Sequence, residues 1–232
     1  MKKLFAIALF AGTFTTAKSQ IYLQGGVNLA NISTSNSGAT QKNNMLTTFN
    51  AGIMGRSNST EPIALEAGLL LEGRGAKADT YLTSSTTDNY VKTKFNPLYL
   101  ELPVNFLIRL PLQNKSNIFF NAGPYVAMGI GGKSKIETKF LGSVSNSTSD
   151  IQFNNDNPST TQQEDASYDK LKRFDYGVNV GGGFDLGSVI LKANYSLGMA
   201  KINSTQSDNS ANDKNKYRTV SVSVGIPIHR KK

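Results

Sequence analysis

Apolar and polar residues alternate along eight segments of this chain. Successive side chains of a strand point to opposite faces, so period 2 predicts strands with one apolar and one polar face. Each segment has about the 9–11 residues that cross a bilayer as a tilted strand. The segments cover residues 21–32, 47–56, 63–74, 98–109, 118–130, 174–185, 189–198 and 219–228. The pattern predicts an all-β fold, an eight-stranded antiparallel up-and-down transmembrane β-barrel.

The connections between these segments alternate in length. Long ones, rich in Ser, Thr, Asn, Asp and Lys, cover residues 33–46, 75–94, 133–172 and 200–216, and short ones cover 57–61, 110–117 and 186–188. A soluble sandwich also alternates, but its connections do not sort so regularly by length. Short periplasmic turns and long outer loops are typical of outer-membrane barrels. We therefore expect one barrel domain over residues 20–232, with extracellular long loops and both termini in the periplasm.

The first nineteen residues have the pattern of a secretory signal peptide. Lys2 and Lys3 precede a short apolar run over residues 4–14, and Ala17 and Ser19 are the small residues of a cleavage site. The apolar run is too short for a transmembrane helix. The sequence therefore predicts a signal peptide over residues 1–19 and export to the outer membrane of a Gram-negative bacterium.

The charge of the chain is positive. The formal net charge is +9, and it becomes +6 once Lys2, Lys3 and Lys18 leave with the signal. Such a balance suits anionic lipid headgroups or nucleic acid, and an exported chain meets the former. Simple solubility of loops and tail explains the same charge. We expect outer-membrane lipid or lipopolysaccharide as a partner, possible envelope or secretion proteins as others, and no nucleic acid.

The predicted inner face carries charged residues of both signs. An eight-stranded barrel is just wide enough for its side chains to fill, and buried charges must pair. We therefore expect a structural ion-pair network that plugs the lumen of a monomer. Its predicted members are Arg56, Glu66, Glu72, Arg74, Glu101, Arg109, Asp175, Asp185 and Lys192.

Residues that could carry chemistry are few. Residues 127–134 (AMGIGGKS) fit a relaxed phosphate-loop pattern, but no convincing helix follows them and no Walker B strand is evident. The triple glycine 181–183 lacks the spacing of a dinucleotide loop. The chain has no Cys, and its one His, His229, lies in the basic tail, which excludes a Ser-His-Asp site inside the barrel. We expect no enzymatic activity, no cofactor and no metal site.

Several segments resemble a known family. Residues 99–104 (YLELPV), 122–125 (AGPY) and 174–184 (FDYGVNVGGGF) are similar to the small PorT-type outer-membrane β-barrel family of the Bacteroidota, and residues 25–30 (GGVNLA) resemble its first strand. The resemblance implies an outer-membrane location and a compact barrel with mobile outer loops. Some members are associated with a secretion or gliding apparatus. This chain departs from many outer-membrane barrels by ending in basic residues instead of an aromatic one.

Three functions follow from the pattern. The first is a non-enzymatic barrel that acts through its surface loops in binding, adhesion or envelope integrity, with residues 133–172 as the main recognition candidate. The second is a PorT-like component of a secretion or gliding apparatus. The third is a small porin-like channel.

Overall fold

The computed structural model describes residues 20–36, 39–42, 45–57, 62–81, 89–112, 116–153, 170–202 and 215–229. The predicted signal peptide and the three basic residues after His229 lie outside the described residues. Strands are the only regular elements of the described part, and it holds no helix long and apolar enough to cross a membrane. The strands are β1 (Gln20–Asn36), β2 (Ala39–Lys42), β3 (Leu46–Arg56), β4 (Ile63–Gly73), β5 (Ala76–Tyr81), β6 (Tyr90–Pro111), β7 (Asn117–Phe140), β8 (Ser143–Asp150), β9 (Gln152–Phe153), β10 (Lys170–Leu171), β11 (Phe174–Asp185), β12 (Ile190–Gly198) and β13 (Lys216–His229).

Eight of these strands close into an antiparallel barrel. The order around the wall is β1, β3, β4, β6, β7, β11, β12 and β13, and β13 pairs with β1 to complete the ring. The prediction of eight antiparallel barrel strands is confirmed. Closure pairs every long strand on both sides, so the barrel wall has no free edge.

The two ends of the barrel differ. At one end, which we call the turn end, short connections join β3 to β4, β6 to β7 and β11 to β12. In the last of these, Gly187 takes a positive φ of 85° and donates its N–H to Asp185 Oδ1 at 2.9 Å. At the other end, the loop end, β2, β5 and β8 each add to a barrel strand that continues beyond the ring.

The loop end corrects the sequence prediction. Residues 75–94 and 133–172 are predicted connections, yet they contain β5, β8, and the first part of β6 and the last part of β7. β5, β6, β7 and β8 form a four-stranded sheet beyond the ring, which we call the projecting sheet. Polar residues occur on both faces of the projecting sheet. Its strands therefore lack the apolar alternation that marks a membrane-spanning strand.

The side chains of the wall sort by face as the alternation predicts. Outward positions are apolar and exposed, from Leu23 on β1 to Val222 on β13. Inward positions are buried and mostly polar or charged, as at Asn28, Glu66 and Lys192. An apolar outside around a polar inside is the reverse of a soluble sandwich and is typical of a barrel in lipid.

Candidate functional site

Two groups of charged side chains fill the lumen. Near the turn end, Arg56 lies 2.8 Å from Glu66 and 3.1 Å from Asp185, and Lys192 also pairs with Glu66. Tyr22 donates its hydroxyl to Glu66 at 2.6 Å, and the Arg56 guanidinium lies 4.5 Å from the centre of the Phe119 ring. We call Arg56, Glu66, Asp185 and Lys192 the turn-end cluster; its two acids and two bases balance.

The second group surrounds Arg74 and is here called the loop-end cluster. Arg74 pairs with Glu101 and Asp175, and lies 3.6 Å from Glu72. Three tyrosine rings enclose the guanidinium with centres 4.8–5.9 Å away. These rings belong to Tyr99, Tyr125 and Tyr217. This cluster has three carboxylates for one guanidinium.

The structure places all nine predicted charged residues in the lumen, each 5% exposed or less. Eight of them lie in the two clusters. Arg109, the ninth, lies at the turn end and donates to the carbonyl oxygen of Ser57 at 3.3 Å. The side chains thus form two separate groups, where the sequence predicts one network.

A cavity separates the two clusters. Its volume is about 10 Å³, close to the minimum that holds one water molecule. Residues from seven barrel strands line it: Gln24, Met54, Leu70, Glu72, Glu101, Pro103, Asn105, Asn179, Lys192, Asn194, Ser196 and Ser221. At this height the lumen is filled with side chains.

An apolar cap covers the loop-end cluster. Ile151, Phe153, Leu171 and Ile202 pack with the Arg74-enclosing tyrosines, and the rings of Tyr99 and Phe153 meet edge to face at 5.4 Å. Backbone hydrogen bonds hold the cap in place. In one of them, the Ile151 N–H donates to the Gly132 carbonyl oxygen at 3.1 Å. Sequence reasoning missed this cap. The available signal was the isolated apolar residues within otherwise polar loops.

The outward face of the projecting sheet is charged. Residues that pair across neighbouring strands point to the same face, so the register places six lysines and three acids together. The opposite face carries no charge and continues the lumen side through Phe95 and Ser134, which are buried. The charged residues are Lys77, Asp79, Lys92, Lys94, Lys133, Lys135, Glu137, Lys139 and Asp150.

Three of these lysines lie in one row. Lys77 pairs with Lys94, and Lys94 pairs with Lys135. We call them the lysine row. Like charges directly opposite one another are destabilising. The next position in the row, Thr148, is uncharged and does not offset them. The neighbouring rows contain acids, as where Lys92 pairs with Asp79 and Glu137. Among the described residues, the lysine row therefore holds three positive charges and no acid of its own, and acids occur only in the rows beside it.

The phosphate-loop-like run, residues 127–134, lies within β7 as extended strand. It does not precede a helix, so its backbone N–H groups cannot converge on a phosphate as in a phosphate loop. Among the described residues, no group of three or more His, Cys, Asp and Glu side chains is placed to hold a metal ion.

A comparison with protein families agrees with the barrel. The family model described as "Outer membrane protein beta-barrel domain" matches residues 10–204. No curated protein matches the chain. Among solved structures, Ail of Yersinia pestis, in complex with the heparin analogue sucrose octasulfate, has a TM-score of 0.41 at 10% identity over 91% of this chain and 99% of that one.

Two further structures are similar at the same distant level. Neisserial surface protein A has a TM-score of 0.39 at 13% identity, over 90% of this chain and 97% of its own. The translocator domain of the autotransporter NalP from Neisseria meningitidis has a TM-score of 0.27 at 8% identity, over 97% and 94%. Similarities this distant say nothing about a ligand. The match over residues 10–204 covers most of the chain, so this protein belongs to the outer membrane protein β-barrel domain family and is an outer-membrane protein.

Proposed function

We propose that this protein is a non-enzymatic binding barrel that holds phosphate- or sulfate-bearing saccharides through its projecting sheet. The lysine row is the observation that carries the proposal. It places three side-chain ammonium groups on one face of a paired sheet, with no acid in the row. A polyanion that lies along the row relieves the repulsion among the three lysines and supplies oxygen acceptors to each.

The position of the row favours a ligand at the membrane surface. Lys94 lies four residues beyond the outward Leu98 on the same strand. At about 3.4 Å per residue that is roughly 14 Å along the strand, or about 10 Å along the membrane normal for a tilt near 40°. This height corresponds to the headgroups of the leaflet and the sugars just above them. In the proposed orientation, the long loops at the loop end are extracellular and both termini lie in the periplasm.

The test measures binding of the purified barrel to two ligand sources. One is vesicles that contain lipopolysaccharide, and the other is soluble dextran sulfate. Replacing Lys77, Lys94 and Lys135 by Gln is expected to weaken binding by roughly a hundredfold, at about 1 kcal/mol per lysine. The vesicle arm identifies the cell's own glycolipid as the source, and the soluble arm identifies an external polysaccharide.

The matched control replaces Lys92, Lys133 and Lys139 by Gln. It removes the same charge from the same face, but Lys92 and Lys133 pair with acids there. We expect its affinity to fall less than about tenfold, as for exposed and already compensated charges. Equal losses in the two triple variants, or a folded wild-type barrel that binds neither ligand, would contradict the proposal.

The PorT-type assignment within the Bacteroidota remains a prediction from residues 99–104, 122–125 and 174–184. It brings with it the alternative of a subunit of a secretion or gliding apparatus. Gentle solubilisation of the outer membrane followed by co-purification tests that alternative. Specific recovery of envelope proteins with the barrel supports the subunit role, and recovery of a monomer alone counts against it.

A further inference from the structure

The two charge clusters of the lumen differ in net charge. The turn-end cluster is neutral, with Arg56 and Lys192 against Glu66 and Asp185. The loop-end cluster has Glu72, Glu101 and Asp175 against Arg74 alone, a formal charge of −2. A buried net charge costs several kcal/mol per ion unless another group neutralises it. The cavity lies beside this excess, since Glu72 and Glu101 both line it.

The cavity wall also carries oxygen atoms without hydrogen-bond partners in the part of the chain that the structure describes. All are acceptors, and all belong to residues that line the cavity. The Glu72 atom, Oε2, is 3.6 Å from Arg74 Nη2, beyond hydrogen-bond length. The five atoms are Gln24 Oε1, Glu72 Oε2, Asn105 Oδ1, Asn179 Oδ1 and Asn194 Oδ1.

Neighbouring bonds fix the orientation of two of these amides. Asn179 donates its Nδ2 to Glu101 Oε1 at 3.0 Å, so its oxygen is the free atom. Asn28 donates to the carbonyls of Phe49 and Gly73, and its oxygen accepts from Asn50 Nδ2 at 2.6 Å. Asn50 therefore presents its oxygen to Gln24 Nε2 at 3.4 Å, which leaves Gln24 Oε1 for the cavity.

One water molecule alone, or one proton alone, satisfies only part of this wall. One water donates two hydrogen bonds, fewer than the five acceptors, and it leaves the charge unchanged. One proton on Glu72 or Glu101 supplies one bond and removes half of the excess charge. A divalent cation accepts six or more oxygen ligands, including carboxylates and Asn or Gln carbonyls, and cancels a charge of −2.

We propose that the cavity between the two clusters is a binding site for a hard divalent cation, with Ca²⁺ as the first candidate. Glu72 and Glu101 supply the negative charge, and the oxygens of Gln24, Asn105 and Asn179 complete the shell. The proposed ligands include only two carboxylates, and the others are amides. A conventional acidic metal cluster has more acids, which is why the sequence gives no sign of this site. The proposal is independent of saccharide binding at the projecting sheet.

The experiment measures metal content after folding, since the site is enclosed. The full barrel is refolded in detergent with CaCl₂, with MgCl₂ or with EDTA, freed of loose ions, and analysed by elemental mass spectrometry. We expect wild type to retain one Ca²⁺ per chain and Glu72→Gln to retain none. Asn105→Ala should bind Ca²⁺ about tenfold or more weakly, because it loses a ligand. The matched control is Asn121→Ala, a buried inner asparagine that does not line the cavity.

Thermal unfolding gives a second measurement, whose dependence on Ca²⁺ is not expected if Glu72 has only a structural role. Wild type should melt at a higher temperature in CaCl₂ than in EDTA, because a ligand that binds only the folded state stabilises it. Glu72→Gln should melt at the same temperature in both buffers and, in EDTA, no lower than wild type. A folded wild-type barrel that retains neither ion, or equal Ca²⁺ content in wild type and Glu72→Gln, would overturn the proposal.

Discussion

Arg56 illustrates how single residues determine the interior of this barrel. Its inward position follows from the alternation of its segment, so the sequence predicts that it is buried. Its partners do not follow, because Asp185 is 129 residues away and the two meet only through the tilt and closure of the wall. The same holds for Arg74 and Asp175, which are 101 residues apart. Inward residues could thus be predicted, but the division into two clusters could not.

Arg56→Met should be strongly destabilising. It leaves Asp185 without its guanidinium partner in a lumen filled with side chains, and breaking a buried pair in this way costs about 3–5 kcal/mol. The chain has no Trp, so the free energy of unfolding is best followed by circular dichroism or by gel migration of the folded band. The exposed Lys94→Met should change it by less than about 0.5 kcal/mol. A loss below about 1 kcal/mol for Arg56→Met would contradict the ion-pair account.

Gly123 allows close approach of β6 and β7 inside the wall. A β-carbon there would lie 2.7 Å from the Cα of Asn105, whereas one at the outward Gly25 meets nothing within 4 Å. Gly123→Ala should therefore lower the free energy of unfolding by about 1–3 kcal/mol through overpacking. Gly25→Ala, the matched control, should leave it unchanged or raise it by up to about 1 kcal/mol. Equal effects at the two sites, measured by urea unfolding in detergent, would show that the tight packing is unimportant.

At the scale of elements, a single bulge brings the lysines of β7 onto the charged face of the projecting sheet. The register shifts between Leu98 and Tyr99, which pair with Gly131 and Gly129 and leave Ile130 as the extra residue on β7. On the turn-end side of the bulge, the odd-numbered residues of β7 face the lumen. On the loop-end side they face outward, so Lys133 and Lys135 lie on the outside. Unbroken alternation would place these lysines inward, so the sequence pattern alone could not predict the lysine row.

The turn between β7 and β8 is strained at one position. Leu141 and Gly142 have φ values of 47° and 78°, the combination of a two-residue hairpin turn that favours Asn-Gly. A left-handed conformation costs a leucine about 1–2 kcal/mol. Leu141→Asn should therefore slow hydrogen exchange of the amides nearest the turn by roughly fivefold or more. Leu141→Ala keeps a β-carbon and should exchange much like wild type; equally slow exchange in both variants would show that strain is not the cause.

At the scale of the whole molecule, the sequence predicts the architecture best because it repeats one physical rule eight times. Lipid outside and side chains inside require the same alternation in every strand, so errors of one or two residues at strand ends do not change the fold. The projecting sheet and the apolar cap obey no such rule. Each depends on contacts between segments far apart in sequence, such as Ile151 with Leu171 and Ile202.

Purified barrel should not conduct ions across a planar bilayer. Two ion-pair clusters, a cavity of about 10 Å³ and the apolar cap leave no continuous water path through the described lumen. Addition of the folded monomer should leave the membrane current at its baseline. Reproducible steps that scale with protein concentration would support the small channel instead.

The most direct test of a lipid-exposed, filled barrel is a scan of single cysteines along β6. The chain has no native Cys, so each cysteine can carry the only spin label. Labels at even positions 98–106 should be accessible to oxygen from the lipid, and those at odd positions 99–107 should be inaccessible to both oxygen and a water-soluble nickel reagent. Nickel access at the odd positions would show an open aqueous lumen, and equal oxygen access at all positions would contradict the barrel itself.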